Sequence, residues 1–392
     1  MSGSILPTVL LLLSVADPGA RSPFAAIVVG ELPTTTQFRL SRVSNPVKPH
    51  GTLTAHLLAR DAINAIVGPD GLSLFVANGG RGSRIVTLAT NERWRLSASY
   101  VQEAAFAPTG ARLAVIDEDQ SLVVYSLADG NLERRIPGPF VKLGFVSPNR
   151  LLMYDGCSLK RIDVTDSSGP ESLAPTPCGE AQRTADSRLW LVAERFPSSA
   201  TTSAGFRALY LVDAASRTTS LLVIGTPTDP ILSAQLVSKR FVCFTRRPTL
   251  APDPGLYCVD IGSRIARLVR EGPVDRIVAN DGESQVAFTD VSSPTSTALY
   301  VANLDTWLVV GLGTTGADGF RFLPGGRRLA AWRGPDGGAT LYDLASGWQI
   351  KIAPTDEGVN AVVSIPGSDR RVILARRRGS TPELVNIEGL PE

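Results

Sequence analysis

Histidine, the side chain that most often serves as a general base or metal ligand, occurs only twice in this chain of 392 residues, at His50 and His56. Both lie near the N-terminus, and no other chemically reactive residues cluster around them. No G-x-S-x-G motif supplies a nucleophile elbow. The sequence therefore predicts no Ser-His-Asp triad, and it excludes haem or copper centres that depend on several histidines.

The chain has four cysteines, which fall into two nearby pairs. Cys243 and Cys258 flank a Pro-rich loop, and in a hairpin centred on that loop they would face each other at the separation a disulfide needs. Cys157 and Cys178 lie within one repeat and its junction with the next. Two pairs with none left over predict disulfides and an oxidising compartment. The alternative is four small buried apolar side chains, and the spacing matches no zinc site.

Two further motifs match the sequence patterns of a nucleotide-binding loop and a nucleic-acid-binding patch, but their sequence context does not support either function. Gly311–Gly316 reads G-x-G-x-x-G, but no helix pattern follows it, so we predict a turn between repeats and no nucleotide site. Asp369–Gly379 is the only basic run, and on a strand of the last unit we expect Arg376–Arg378 to alternate faces, with most of them solvated at the rim. With a net charge of +2 the chain lacks the positive footprint of a nucleic-acid-binding protein.

A polar residue recurs five or six positions before a turn signal along most of the chain. If these positions begin strands around a central channel, they form a mostly acidic ring at its mouth, which could hold a cation such as Ca²⁺ or a cationic ligand group. The alternative is that the first residue of a strand is commonly polar and solvated. No other cofactor is predicted. The ring residues are Asn64, Glu103, Lys142, Glu180, Asp275, Asp318 and Asn360.

These residues are positioned by a repeat of about 40 residues. Each unit has a short apolar strand, a turn of Pro, Gly, Asp or Asn, a second apolar strand, a third strand and a weaker fourth, as in "NAIVGPDGLSLFVAN" and "AAFAPTGARLAVIDE". Eight such units can be aligned, and seven is the alternative if the long units between Cys178 and Gly272 are miscounted. Strands that are apolar on both faces need a neighbouring sheet on each side.

The repeat resembles the β-propeller superfamily, in particular the WD-like and TolB-like repeats, in which a "PDG" turn precedes an apolar strand. The resemblance covers about Ile63 to Gly389 and lacks the Trp-Asp and Gly-His signatures of true WD repeats. It implies an all-β fold of four-stranded antiparallel blades. The last unit has only three strands before the chain stops, so we expect residues 52–60 to supply its fourth strand and close the ring over residues 52–392.

The N-terminal segment has two interpretations. Ile5–Val15 is an apolar run of signal-peptide length, followed by small residues suited to cleavage, which makes residues 1–20 a candidate signal peptide and predicts a secreted or periplasmic protein. No basic residue precedes the run, and Pro7 interrupts it, so the alternative is a buried strand in a cytoplasmic protein. Residues 21–51 are read as an extension with room for extra strands, and no segment is long enough to be a transmembrane helix.

Three functions are compatible with these features. The first is a monomeric binding or scaffold module that presents loops to a protein or glycan, with Arg195–Tyr210 and Arg246–Tyr257 as contact candidates; their alternative is two surface loops without a role. The second is a lactonase-like hydrolase that uses the acidic ring and a divalent cation. The third is an accessory propeller to a separate enzyme chain.

Overall fold

The computed structural model describes residues 40–42, 53–60, 62, 64–77, 82–88, 93–96, 100–196, 205–246, 254–280, 283–293, 296–314, 316–334, 337–378 and 381–391. Within these ranges the chain contains strands and turns and no helix. In particular, no helix of the described part is long and apolar enough to cross a membrane.

The strands of the first half, in chain order, are β1 (Leu40–Arg42), β2 (Thr54–Arg60), β3 (Asn64–Val67), β4 (Ser73–Ala77), β5 (Arg84–Thr87), β6 (Arg93–Arg95), β7 (Val101–Phe106), β8 (Arg112–Asp117), β9 (Leu122–Ser126), β10 (Leu132–Ile136), β11 (Lys142–Phe145), β12 (Arg150–Tyr154), β13 (Ser158–Asp163), β14 (Glu171–Pro175), β15 (Gly179–Arg183), β16 (Leu189–Arg195), β17 (Phe206–Asp213) and β18 (Thr218–Ile224). Those of the second half are β19 (Ile231–Val237), β20 (Phe241–Arg246), β21 (Gly255–Asp260), β22 (Ala266–Glu271), β23 (Val274–Ala279), β24 (Gln285–Ser293), β25 (Ser296–Asn303), β26 (Leu308–Thr314), β27 (Gly319–Phe322), β28 (Arg328–Trp332), β29 (Ala339–Asp343), β30 (Gln349–Ala353), β31 (Gly358–Ile365), β32 (Ser368–Arg378) and β33 (Thr381–Glu388).

Consecutive strands pair antiparallel in groups of four. β3–β6 form unit 1, and the following groups of four form units 2 to 7, ending with β27–β30. β31–β33 with β2 form unit 8. Units 4 and 5 are joined into one eight-stranded sheet by a single pair, Phe206 with Ile231. The grouping is compatible with the eight blades that the repeat predicted.

The first strand of each unit lies at the centre. β7 contacts β11, and the contacts continue through β15, β19, β23, β27 and β31 to β3. Between units 1 and 2, buried Phe75 and Leu113 belong to the same apolar cluster and complete the circle. This is the architecture of a β-propeller, as the resemblance implied.

Each sheet is buried on both sides, which explains the continuous apolar runs. In β8, Leu113 and Val115 pack towards unit 1, whereas Ala114 and Ile116 pack towards unit 3. All four are fully buried. Burying one such valine, leucine or isoleucine contributes about 1.5–3 kcal/mol, so the contacts between units supply most of the fold's apolar stabilisation.

Unit 8 combines a strand from the N-terminal part of the chain with the last three strands. β2 pairs antiparallel with β33, from Thr54 opposite Glu388 to Arg60 opposite Glu383. In addition, β1 pairs in parallel with the outer strand of unit 6, with Leu40 opposite Val309. The candidate signal peptide and His50 lie outside the described residues.

The alternating strand direction gives the ring two different ends. First strands begin at one end, which also carries the connections between second and third strands, and we call it the loop face. At the opposite end, the turn face, Asp or Asn residues cap the turn after the third strand: Asp260 Oδ1 accepts the N–H of Gly262 at 2.9 Å and of Ser263 at 3.0 Å. Asp163, Asp213, Asn303 and Asp343 do the same in other units. These side-chain oxygens therefore serve the fold.

Candidate functional site

The central channel opens on the loop face, where two of the ring residues from the sequence contact each other. Lys142 Nζ, at the start of β11, lies 2.8 Å from Glu103 Oε2 on β7. The two residues are 39 positions apart and belong to neighbouring units. This ion pair fixes both side chains at the channel wall, and it neutralises the glutamate that the sequence assigned to an acidic ring.

The other ring residues are not gathered into one site. Glu180 is exposed and forms an ion pair with Arg195, and exposed Asp275 lies 3.8 Å from the guanidinium of Arg276. Asp318 and Asn360 are exposed. Asn64 is described only in its backbone, where it pairs with Ala77. Each of the three other acids thus has a cationic neighbour or faces solvent.

No metal centre is formed by the residues that the structure describes. Within them, no three His, Cys, Asp or Glu side chains are grouped closely enough to hold a metal ion. His56 is exposed on β2, 3.9 Å from Glu388. The geometry therefore gives the proposed Ca²⁺ ring no support.

The channel wall contains a cavity of about 250 Å³ beside the Glu103–Lys142 pair. Its other lining residues come from unit 4 and are Ala181, Gln182, Arg183, Ala185 and Trp190. A smaller cavity of about 110 Å³, between units 1 and 2, also reaches Glu103. Sequence reasoning passed over Arg183, although it stands in a repeat position that is otherwise apolar.

The disulfide Cys157–Cys178 fastens the loop face at the boundary of units 3 and 4. It joins the connection between β12 and β13 to the connection between β14 and β15. Beside it, Asp155 accepts hydrogen bonds from the N–H groups of Cys157 and Ser158, at 3.0 and 2.7 Å, and lies 2.8 Å from Lys160 Nζ. The link and the carboxylate hold this connection in one conformation.

We expect the stability of the protein to depend on Asp155 between about pH 4 and pH 2. Burial alone would raise the pKa of Asp155, but the Lys160 ammonium and the backbone donors lower it to about 2. Because the folded pKa is depressed, the stabilisation is present above the unfolded pKa of 3.8 and is lost as the pH falls towards 2. We expect Asp155→Asn to remove this dependence and to cost about 1 kcal/mol at pH 7 after solvent screening. Urea unfolding at several pH values measures the free energy of unfolding of both proteins. If this free energy changed with pH in the same way for the wild type and Asp155→Asn, the prediction would be contradicted.

The second disulfide, Cys243–Cys258, is buried between β20 and β21, where the two residues are directly opposite in the ladder. It stands at the base of the predicted contact loop Arg246–Tyr257. Arg246, at the start of that loop, lies 3.0 Å from Asp229. Residues 247–253 of this loop, like 197–204 of Arg195–Tyr210, are outside the described part.

A carboxyl pair at the loop-face end of unit 2 was not anticipated. Arg135 Nη2 lies 2.8 Å from Asp117 Oδ2 and 2.6 Å from Asp119 Oδ2. Burial, together with the hydrogen bond between the two carboxyls, raises the pKa of Asp117, whereas that hydrogen bond lowers the pKa of Asp119. Because one guanidinium spans both groups, the pair ties β8 to β10.

The remaining sequence motifs take structural positions. Gly311 and Gly313 lie within β26, so the predicted turn at Gly311–Gly316 is in its first part a strand. In the basic run, Arg376 is part-buried and forms ion pairs with Glu357 and Glu383, while Arg377 is exposed. Arg376 and Arg377 thus differ in exposure, as expected of residues that alternate between faces, and Arg376 is the less exposed of the two because Glu357 and Glu383 surround its guanidinium.

Comparisons with known proteins identify the fold. No protein-family model matches the chain, and no curated protein matches it by sequence. Among solved structures, an oligogalacturonate lyase in complex with manganese is similar over 89% of this chain and 98% of that one, with 12% identity and a TM-score of 0.54. The Cps50 (Swd1) β-propeller domain of Myceliophteria thermophila covers 85% of this chain, is itself covered to 99%, and has 10% identity and a TM-score of 0.51.

A third similar structure is the dihydro-heme d1 dehydrogenase NirN in complex with DHE, with 15% identity and a TM-score of 0.53. It covers 76% of this chain, and the chain covers 67% of it. The three proteins are a lyase, a dehydrogenase and a β-propeller domain, so the likeness shows the propeller fold and leaves the role to be argued from the site.

Proposed function

We propose that this protein is a secreted or periplasmic binding module that holds a protein or glycan partner at its loop face. The observation that carries the proposal is the concentration of distinctive features at that end. The longest connections within the eight units (residues 196–205 and 247–254) leave and re-enter their strands at this end, and the exposed disulfide Cys157–Cys178 lies there. The connections of the turn face mostly have three to five residues.

The disulfides support the proposed location. Protein disulfides form and persist in oxidising compartments, such as the periplasm and the extracellular space. A rigid ring that carries variable connections at one end is also how β-rich scaffolds present binding surfaces. Among the residues that the structure describes, no specific contact favours a metal-assisted hydrolase or an accessory propeller to a separate enzyme.

Matched substitutions at the two faces test the proposal. Tyr100 and Ile224 are exposed apolar residues of the loop face, at 54% and 58% exposure, and Leu132 and Ile265 are their counterparts on the turn face, both at 51%. We expect Tyr100→Ser and Ile224→Ser to weaken partner binding at least about 10-fold, because exposed apolar anchors dominate interfaces. Leu132→Ser and Ile265→Ser should leave it unchanged.

The measurement uses the full protein on a printed glycan array, and cross-linking followed by mass spectrometry with the secreted proteins of the same cells. Loss of binding in the turn-face variants alone would contradict the assignment. So would binding that none of the four substitutions alters.

A further inference from the structure

Arg183 breaks a pattern that the other units share. It is the last residue of the first strand of unit 4, immediately before the turn. The corresponding residue of every other unit is apolar, which suits a position that packs between sheets. Those residues are Val67, Phe106, Phe145, Val237, Ala279, Phe322 and Ile365. A charged residue at this one position departs from the local pattern, and such departures are expected at functional sites.

The neighbouring unit is shaped to receive this side chain. Arg183 Nε donates to the carbonyl oxygen of Leu143 at 2.7 Å, and Nη1 donates to that of Thr184 at 3.4 Å. Gly144 lies beneath it: a Cβ at Gly144 would stand 2.5 Å from Arg183 Nε and 2.6 Å from Cδ. Ser187 Oγ would also stand close to that Cβ, so the glycine leaves room here for both side chains, and the hydrogen bond to Leu143 anchors the guanidinium on β11.

The held guanidinium lines the same cavity as the Glu103–Lys142 pair. Because Arg183 reaches back to Leu143, the residue next to Lys142, two cations and one carboxylate share the wall. Gln182 adds an amide whose nitrogen donates to the carbonyl of Ala234 at 2.8 Å, and buried Trp190 closes the apolar side. The guanidinium of Arg183 on this wall is a group that recognises anionic ligands.

The size of the cavity limits what it accepts. At about 250 Å³ it is smaller than the ~300–1,000 Å³ pockets of drug-sized ligands. A molecule of monosaccharide size fits within this volume.

We propose that this space, the Arg183 cavity, binds a small hydroxylated carboxylate of the size of a sugar acid. The planar guanidinium matches a carboxylate and forms charge-assisted hydrogen bonds with it. Glu103 accepts hydrogen bonds from hydroxyl groups and Lys142 donates to them. This inference goes beyond the proposed function, since it concerns the channel wall and a small ligand. Either can fail without the other.

Calorimetric titration of the full protein with D-glucuronate tests it, with D-glucose as the matched uncharged sugar and the ionic strength held constant. We expect saturable binding of glucuronate and at least about 10-fold weaker binding of glucose. Arg183→Met should weaken glucuronate binding by a similar factor. Methionine is apolar, as is the residue at this position in the other seven units. The melting temperature of the Arg183→Met variant should therefore equal or exceed that of the wild type. Arg188→Met, at an exposed arginine five residues away on the turn face, is the control and should bind as the wild type does.

Three results would overturn the proposal. The first is the absence of saturable heat from glucuronate at protein and ligand concentrations that detect a Kd of about 1 mM. The others are equal affinity for glucose and glucuronate, and unchanged affinity for glucuronate in Arg183→Met. If Arg183→Met does not fold, Arg183→Lys answers the same question. Lysine keeps the charge but lacks the planar fork, so it too should weaken glucuronate binding; unchanged affinity there would equally refute a role for the guanidinium.

Discussion

A shortened protein that begins at residue 61, and therefore lacks β2, is expected to have an open ring and to unfold or aggregate. β2 is the fourth strand of unit 8, and without it the hydrogen-bonding edge of β33 is exposed from Glu383 to Glu388. An unprotected edge of that kind pairs with other chains. Each lost backbone hydrogen bond costs about 0.5–1.5 kcal/mol, so the whole strand contributes several kcal/mol to a stability that is typically about 5–15 kcal/mol. A shortened protein that begins at residue 52, and therefore keeps β2, should be a folded monomer.

A matched pair of substitutions within β2 tests whether the packing of this strand closes the ring, independently of the length of the chain. Ala59 is 3% exposed and packs in one cluster with Leu384 and Val363, whereas Ala55 on the same strand is exposed. We expect Ala59→Asp to cost about 3 kcal/mol, because it buries a carboxylate without a partner. Ala55→Asp should stay within about 0.5 kcal/mol of the wild type. Urea unfolding and size-exclusion chromatography measure both, and equal effects of the two substitutions would refute closure by β2.

The fold could be predicted from the sequence because the repeat encodes it redundantly. In β8, the run Leu113–Ile116 is apolar without interruption, which only a strand between two sheets requires. The Asp-containing turns repeat at the end of third strands, as at Asp213 and Asp260, where each carboxylate accepts N–H groups of its own turn. Both signals are local and recur in several units, so a misreading in one unit is corrected by the others.

The site was less predictable because its contacts join residues that are distant in sequence and occur once. Spacing placed Glu103 and Lys142 at equivalent positions of two units, but it could not show that the lysine neutralises the glutamate. The same is true of Glu180, whose partner Arg195 stands on the next strand. The positions of these acids in the repeat predicted a ring, but their side-chain partners decide what they can bind.

Arg183 shows that the sequence did contain a signal for the site. A comparison of one position across all units would have isolated a charged residue among seven apolar ones. The signal was missed because repeats are aligned by what their units share. In a repeat protein, function is carried by departures from the repeat, since the shared residues are already committed to packing.

Removal of the buried disulfide is expected to produce the second large loss of stability. Cys243 and Cys258 are 15 residues apart, and both are fully buried. A cross-link that closes a loop of this length stabilises a protein by about 3 kcal/mol. We therefore expect the double variant Cys243→Ala, Cys258→Ala to unfold at a lower urea concentration by an amount equivalent to about 3 kcal/mol.

The exposed disulfide serves as the internal comparison. Cys157 and Cys178 are solvent-exposed and 21 residues apart, so their removal should cost a similar free energy. The two links should nevertheless differ in how they are reduced, because thiol–disulfide exchange needs access to the sulfur atoms. Under native conditions a mild reductant should release two titratable thiols, from Cys157 and Cys178, and after denaturation it should release four, the number of cysteines in the chain. Release of all four at one rate in the native protein would mean that unit 5 opens as readily as the loop face, which would contradict the packing of Cys243 and Cys258 in the apolar cluster between units 5 and 6.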